Sequence, residues 1–500
     1  MKEVDDDWIA RSQGLTFDVK DFINGRRQAS RGREQISKYG PRDGQLLAQF
    51  GATEGSEVDL AIDSARQAFR DGRWSRLSTQ RRKDALYRLA ALIETHGKEL
   101  ALLECLDVGK PIVEALNFDV KAAADTIRFS AEAADKFYGK VYCVDQSNLS
   151  YQLRRPVGVV AAIVGWNFPL LLAAAKVGPA LAAGNSVVLK PSELTSFSAV
   201  RLAELAVEAG IPDGVLNVVH GGAKLGAALA HHGDVDLLTF TGSTRTGKEL
   251  LIAAGKSNMK RLILECGGKA PNIVFDDSPD LEAVADAVVR RAFYNQGAVC
   301  TASSRLLIQQ TIKDAFLNLV IDRAAKFRPG DPLKPETSFG AVVSRAHRQR
   351  VLEYIDRGRR DGARVAYQCD SQPPHEHGFY AAPIILDGVS PDQTVAQEEI
   401  FGPVLSVIAF HDEKEAIRIA NETIYGLSAI LWTKDAGRAH RVTQGVSAGW
   451  VVINATDKPV GGPSVNLLSI GGHKQSGIGA EGGLDGIEAY TNSTAVQCFV

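Results

Sequence analysis

The chain has no surplus of charge, no paired cysteines and no long apolar run, and each absence removes a class of protein. Its 57 Lys and Arg stand against 59 Asp and Glu, for a formal net charge of −2. Nothing in that balance points to nucleic acid or an anionic membrane as a partner. Six cysteines are present (Cys105, Cys143, Cys266, Cys300, Cys369 and Cys498), and none forms a C-x-x-C pair. That density is far below a disulfide scaffold, so they read as reduced thiols of a cytoplasmic protein. The most apolar run, residues 157–164, is strand-length and too short to span a bilayer. The start, Met1 to Asp7, is acidic without an apolar core and does not read as a signal peptide. His231-His232 and His375-Glu376-His377 could suggest a metal, but the second group sits in a Pro-rich loop with no third ligand at suitable spacing. They read as solvated loop residues, and no metal is expected.

What the chain does carry is alternating strand and helix. Its 500 residues exceed a single core, so two or three domains are expected. Phe22-Ile23-Asn24-Gly25 reads as a strand entering a turn. Residues 58–71 and 80–106 have apolar residues at helical spacing, with Gly72 and Gly109 as stops, and 121–137 continue the pattern. From Val157 the texture changes to buried parallel strands at 157–164, 186–189, 214–219, 237–240 and 261–264. Residues 198–208 form an amphipathic helix between them, stopped by Gly210 and Pro212. This alternation predicts a doubly wound α/β domain. A second series begins at 272–275 and includes 305–309, 405–410 and 449–454. The tail, 488–500, alternates enough for a strand. No low-complexity linker separates the two series, which predicts a tight cleft with a hinge near 265–268.

Two glycine-rich segments carry the chemistry. Asn295-Gln296-Gly297-Ala298-Val299-Cys300-Thr301 holds a candidate thiol nucleophile, and Leu264-Glu265-Cys266-Gly267-Gly268-Lys269 a candidate carboxylate base. Taken alone, a lone thiol is more often a buried structural cysteine, and a turn glutamate is often satisfied by backbone N–H groups. Gly165-Trp166-Asn167-Phe168-Pro169 follows the apolar strand at its C-terminal end, where open α/β sheets bind ligands. By itself it is equally a strand-ending turn. Lys190-Pro191-Ser192-Glu193 reads alone as a solvated turn. Phe240-Thr241-Gly242-Ser243-Thr244-Arg245-Thr246-Gly247-Lys248, which is not G-x-G-x-x-G, reads alone as a plain helix N-cap. In Glu398-Glu399-Ile400-Phe401-Gly402-Pro403, single-residue statistics favour a surface glutamate and a core phenylalanine.

Together these strings resemble the NAD(P)-dependent aldehyde dehydrogenase superfamily over almost the whole chain. The resemblance implies two doubly wound α/β domains, Rossmann-like for cofactor and catalytic, plus a small β oligomerisation element. The implied boundaries are 1–139 with 157–265 for the cofactor domain, 266–470 for the catalytic domain, and 140–156 with 487–500 for strands joining a homodimer or homotetramer. It implies Cys300 as nucleophile, Glu265 as base for water, and Asn167 with the Cys300 N–H as oxyanion donors. Lys176 and Glu481 align with accessory positions, with a surface salt bridge as the competing reading. Ile163, Trp166, Lys190, Glu193, Gly242, Ser243, Glu399 and Phe401 fall on cofactor-binding positions. Glu193 would repel a 2′-phosphate, so NAD is favoured over NADP. Cys266 receives no role beyond packing.

The sequence departs from the family in three places. Gly165 stands where proline is common, Ala175 where tryptophan is common, and Thr456 where an aromatic is common. The 458–470 segment is longer than usual. These changes argue for a bulky apolar or aromatic aldehyde and against a quaternary ammonium substrate, whereas the N-terminal half resembles the bacterial branch acting on polyamine-derived amino-aldehydes. The glutamate at 265 points to water as acyl acceptor. The remaining alternatives are a thioester-forming enzyme with another acceptor and a catalytically silent binding protein.

Overall fold

The computed structural model describes residues 7–145, 147–456 and 465–499. Two large, mostly parallel sheets organise the chain. The first runs Arg26–Gln28, Asp21–Ile23, Leu216–Val218, Ser186–Lys190, Val159–Ile163, Leu237–Thr241, Arg261–Glu265 and Gly477–Ile478. Its five inner strands, from Leu216–Val218 to Arg261–Glu265, are parallel. The chain starts them at Val159–Ile163, works outward to one side, then returns and continues on the other. The reversal leaves a crevice between Val159–Ile163 and Leu237–Thr241, at the strands' C-terminal ends.

Burial explains the composition of these strands. Every residue of Val159–Ile163 and Ser186–Lys190 is buried, so small and branched apolar side chains fill both faces. Val160 and Ala162 enter one core, while Val159, Ala161 and Ile163 enter another on the opposite face. The second sheet repeats the arrangement. Its order is Arg364–Gln368, Ile384–Asp387, Val404–Phe410, Arg305–Gln309, Pro271–Val274, Ser428–Trp432 and Trp450–Ile453, parallel except for the first pair. Ile273 and Leu307 face one core, and Val274, Leu306 and Ile308 the other. The fold is α/β with two doubly wound sheets. A third, antiparallel sheet joins Thr491–Phe499, Asn148–Pro156 and Val141–Asp145.

Three local features differ from the sequence pattern. The periodic stretch 80–106 is two helices, Thr79–Thr95 and Gly97–Val108. They break at His96 (φ −91°, ψ 17°), and Gly97, which follows, is buried beside Val120 and Leu116. Periodicity survives such a kink, so apolar spacing does not reveal it. Between Ile112–Glu114 and Val120–Ala133 the chain makes a π-helical turn, Ala115–Asp119. The short strand Gly477–Ile478 returns to the edge of the first sheet beside Glu265. Of the 458–470 loop, residues 458–464 lie outside the described residues. Among the described residues no helix is long and apolar enough to cross a membrane.

Candidate active site

A cavity of about 680 Å³ opens at the C-terminal ends of Val159–Ile163, Ser186–Lys190 and Leu237–Thr241. Its wall brings together Ile163, Trp166, Asn167, Lys190, Glu193, Gly242, Ser243, Cys300, Glu399 and Phe401. Glu265, Lys176 and Glu481 are not on the wall, but Cys266 and Gly267, next to Glu265, are.

The thiol is delivered by an unusual turn. After the helix Leu281–Phe293, Asn295 (φ 47°), Gln296 (φ 57°) and Gly297 (φ 75°) are all left-handed. A non-glycine residue there costs about 1–2 kcal/mol, so the surroundings must hold it. Asn295 Nδ2 donates to the Asn167 carbonyl at 2.9 Å and to the Ala298 carbonyl at 3.3 Å. A Cβ on Gly297 would lie 2.3 Å from the Gly402 carbonyl oxygen, and one on Gly268 would lie 2.2 Å from the Cys300 carbonyl oxygen. Glycine is required at both positions because backbone meets backbone.

Cys300 is partly exposed. Burial of its sulfur pushes the thiol up to about 12, the negative charges of Glu399 and Glu265 add to the rise, and the Thr301 and Cys300 N–H groups oppose it. At neutral pH the resting group is a thiol, so ionising it requires a base. Glu265 ends the strand Arg261–Glu265, and its Oε1 is buried with no hydrogen-bond partner. Burial raises its pKa, and the Lys176 charge opposes the rise. Lys176 is buried in the helix Pro169–Ala183 and pairs with Glu481, so it is no surface salt bridge. Burial lowers the lysine's pKa.

Asn167 Nδ2 gives one proton to the Ala298 carbonyl at 3.0 Å, leaving its second amide proton uncommitted. Lys190 Nζ donates to the Pro191 carbonyl at 3.0 Å and lies 3.7 Å from Glu193 Oε2. Ser243 is the N-cap of the helix Thr244–Lys256, accepting the Thr246 N–H at 3.2 Å, and also lines the cavity. A Cβ on Gly242 would lie 2.4 Å from the Phe240 ring. Glu399 Oε1 accepts the Gly268 N–H at 2.9 Å. Cys266 packs where a Cβ on Gly247 would lie 2.7 Å from its sulfur, in the core with Ile163 and Phe240.

Several site residues were not legible in the sequence. His347 and Arg350 line the cavity from the helix Arg345–Arg360. The His347 ring lies 4.9 Å from Trp166, and its Nε2 donates to the Phe401 carbonyl at 2.8 Å. Phe401 is itself left-handed (φ 60°) and 5.0 Å from Trp166. Phe118 and Tyr294 join Phe168, Val299 and Ala302 in an apolar cluster next to Cys300 in sequence, with Leu171 and Leu172. The only signals for these were a helical period and scattered aromatics. Ala175 and Thr456 are both half-buried and neither is on the cavity wall.

A crevice at a strand-order reversal suits an extended dinucleotide, and a thiol on its wall suits covalent carbonyl chemistry. The class is an α/β oxidoreductase. The chain belongs to the aldehyde dehydrogenase family, whose profile matches residues 28–496. It is 46% identical over 487 residues to the NADP/NAD-dependent aldehyde dehydrogenase PuuC of Escherichia coli (strain K12), covering 97% of this chain and 96% of that one. It is 43% identical over 475 residues to the aminoacetaldehyde dehydrogenase of Pseudomonas aeruginosa, covering 95% and 94%. A crystal structure of an indole-3-acetaldehyde dehydrogenase with NAD+ superposes with a TM-score of 0.96 at 46% identity, covering 99% of each chain.

Proposed function

We propose that the protein oxidises an aldehyde to a carboxylic acid with NAD, through a thioester on Cys300. The observation that carries this reading is Cys300 on the wall of the strand-end cavity, with the unpartnered Glu265 oxygen on the neighbouring strand. The residues present fit a dinucleotide. Lys190 and Glu193 lie at one strand end to meet ribose hydroxyls, and Ser243 and Gly242 stand at a helix N-terminus suited to phosphate. Glu399 and Phe401 stand near Cys300 for the second ribose and the ring. When bound, NAD supplies the acceptor for the aldehyde hydrogen, taken as hydride. Cys300 gives its proton to a base, and its sulfur bonds to the carbonyl carbon as the carbonyl π pair moves onto oxygen. The free proton of Asn167 Nδ2 and the Cys300 N–H meet the alkoxide, each worth roughly 3 kcal/mol in comparable sites. Glu265 takes a proton from water, whose oxygen attacks the thioester carbonyl carbon, and the C–S bond breaks to release the acid and the Cys300 thiolate. Lys176, whose charge acts on Glu265, pairs with Glu481, and the two are suited to pass that proton onward. Glu193 favours NAD over NADP by charge.

The substrate we favour is bulky and apolar or aromatic. Support comes from the apolar cluster of Phe118, Phe168, Tyr294, Leu171 and Leu172, of which Phe168 and Leu172 line the cavity. An indole-3-acetaldehyde dehydrogenase among the similar structures is in keeping with it. The aminoacetaldehyde relative supports the second reading, an ω-amino-aldehyde. Exposed Val141, Leu149 and Phe499 on the antiparallel sheet support pairing into a homodimer or homotetramer. The five cysteines whose side chains are described are all free, which supports a reducing, cytoplasmic setting.

NADH absorbance with purified protein, NAD and an aldehyde panel tests the reading. The expected result is higher kcat/KM for aromatic or long-chain aldehydes than for acetaldehyde or betaine aldehyde. Each methylene that fits should add about 1–3 kcal/mol of discrimination. An amino-aldehyde ranked first would select the second reading, betaine aldehyde ranked first would overturn both, and no NADH with any aldehyde would leave a silent binding protein.

A further inference from the structure

Behind Asn167 lies a charge cluster with no place in the reaction described so far. Gly109 (φ 88°) ends the helix Gly97–Val108, and Pro111 forbids its continuation, so Lys110 turns inward. Its side chain is 1% exposed. The ammonium pairs with Asp119, which is fully buried on the π-helical turn Ala115–Asp119. It also donates to the Asn167 carbonyl at 3.0 Å and lies 4.1 Å from the centre of the Phe168 ring. Two residues on, the Leu170 N–H donates to the buried Glu104 carboxylate at 3.2 and 3.3 Å.

The pair is a poor device for stability. Desolvating an ammonium and a carboxylate costs several kcal/mol each, and their attraction repays this only with complete hydrogen bonding. Asp119 Oδ1 has no partner. An apolar pair would serve the fold at least as well, so what the ammonium uniquely supplies is its directed contact with Asn167 and Phe168. The π turn fits the same account, because it sets Phe118 and Asp119 side by side, one toward the Phe168 ring and the other on the lysine. Such turns gather at functional sites.

We propose that Lys110 is a positioning residue for the aldehyde reaction, fixing through the Asn167 carbonyl and the Phe168 ring the amide that meets the alkoxide and the wall that meets the substrate. This rests on the oxyanion role assigned to Asn167. Displacing such a group by an ångström lowers rates by up to about 100-fold. The effect belongs to the acylation step and not to cofactor binding, because the contacts of Lys110 run to Asn167 and Phe168, the groups assigned to the alkoxide and the substrate.

The test compares wild type with Lys110→Met and with Lys110→Met/Asp119→Asn, which carries neither charge. Rapid-mixing NADH formation reads acylation, tryptophan fluorescence reads NAD affinity, and thermal unfolding reads stability. The expected result is a burst at least about tenfold slower in both variants, with the NAD dissociation constant within about twofold of wild type. The double variant should melt above the single one yet be no faster. A wild-type burst rate in either folded variant overturns the proposal, as does a double variant that recovers rate together with melting temperature. Failure of both to fold assigns Lys110 to the fold alone and overturns it too. Absence of NADH formation by the wild type would instead sink the underlying aldehyde reading.

Discussion

Glu265 and Glu399 both raise the pKa of the same thiol, yet they are held in opposite ways. Burial pushes Glu399 up to about 7, and it is pinned. Its Oε1 accepts the Gly268 N–H, its carbonyl accepts from Arg350 Nη2 at 3.2 Å, and a Cβ on Gly267 would lie 2.4 Å from its Oε2. Glu265 is raised by the same cause, but its Oε1 accepts no hydrogen bond, and Lys176 is the charge that opposes the rise. A carboxylate tied down by backbone is suited to hold a ligand in one orientation. One with a vacant lone pair and a raised pKa is suited to take a proton from water. Similar burial thus suits the two carboxylates to different chemistry through the presence or absence of one N–H.

The comparison can be broken most severely at the thiol both carboxylates act on. Cys300→Ala should lower turnover on the order of 10⁴-fold or more, with NAD binding retained, as read by NADH formation beside a fluorescence titration. Near wild-type turnover would end the mechanism. Glu265→Gln should come next, with steady-state turnover down about 100-fold and a rapid NADH burst retained. Loss of the burst would show that Glu265 also ionises the thiol. The pH dependence follows from the direction of its shift. Because burial raises its pKa, the basic form is lost as pH falls through the neutral range, so wild-type turnover should climb with pH there and level off above. The Gln variant should lose that limb, and an unchanged profile would assign it elsewhere. The smallest effect concerns a carboxylate on the opposite stretch of the cavity. Glu193→Gln should narrow the NAD over NADP preference by about fivefold, roughly 1 kcal/mol for one charge contact near water. Equal kcat/KM for both cofactors in the wild type at low salt would contradict it.

The strands, and the turns after them, were legible because a buried parallel strand must be apolar on both faces, as in Val159–Ile163, and because Gly and Pro punctuate where it ends. The wall residues Asn167, Lys190, Ser243 and Glu399 were found because they follow such strands or lie in recognisable strings. Lys110, Asp119 and Glu104 were not. A buried charge reads in sequence like a solvated one, since its burial is decided by tertiary neighbours such as Phe168. His347 and Arg350 were hidden in the same way inside an ordinary amphipathic helix. The kink at His96 left the apolar period intact and so left no trace in it, and the π turn lies between the stretches that carry a period. The aldehyde-side argument also moved: Ala175 and Thr456 are off the cavity wall, whereas Phe168 and Leu172, packed with Phe118 and Tyr294, are on it.

The glycine contacts around the thiol also bear on how this protein could change over generations. Gly268 lies against the Cys300 backbone, Gly297 against Gly402, and Gly267 against Glu399. Three distant stretches of chain therefore interlock, and at Gly268 and Gly297, where backbone meets backbone, no side chain can be inserted and no replacement of a facing side chain can make room. New substrate ranges must arise on the surrounding apolar wall, at positions such as Phe168 and Leu172, while the interlocked turns are inherited or transplanted together.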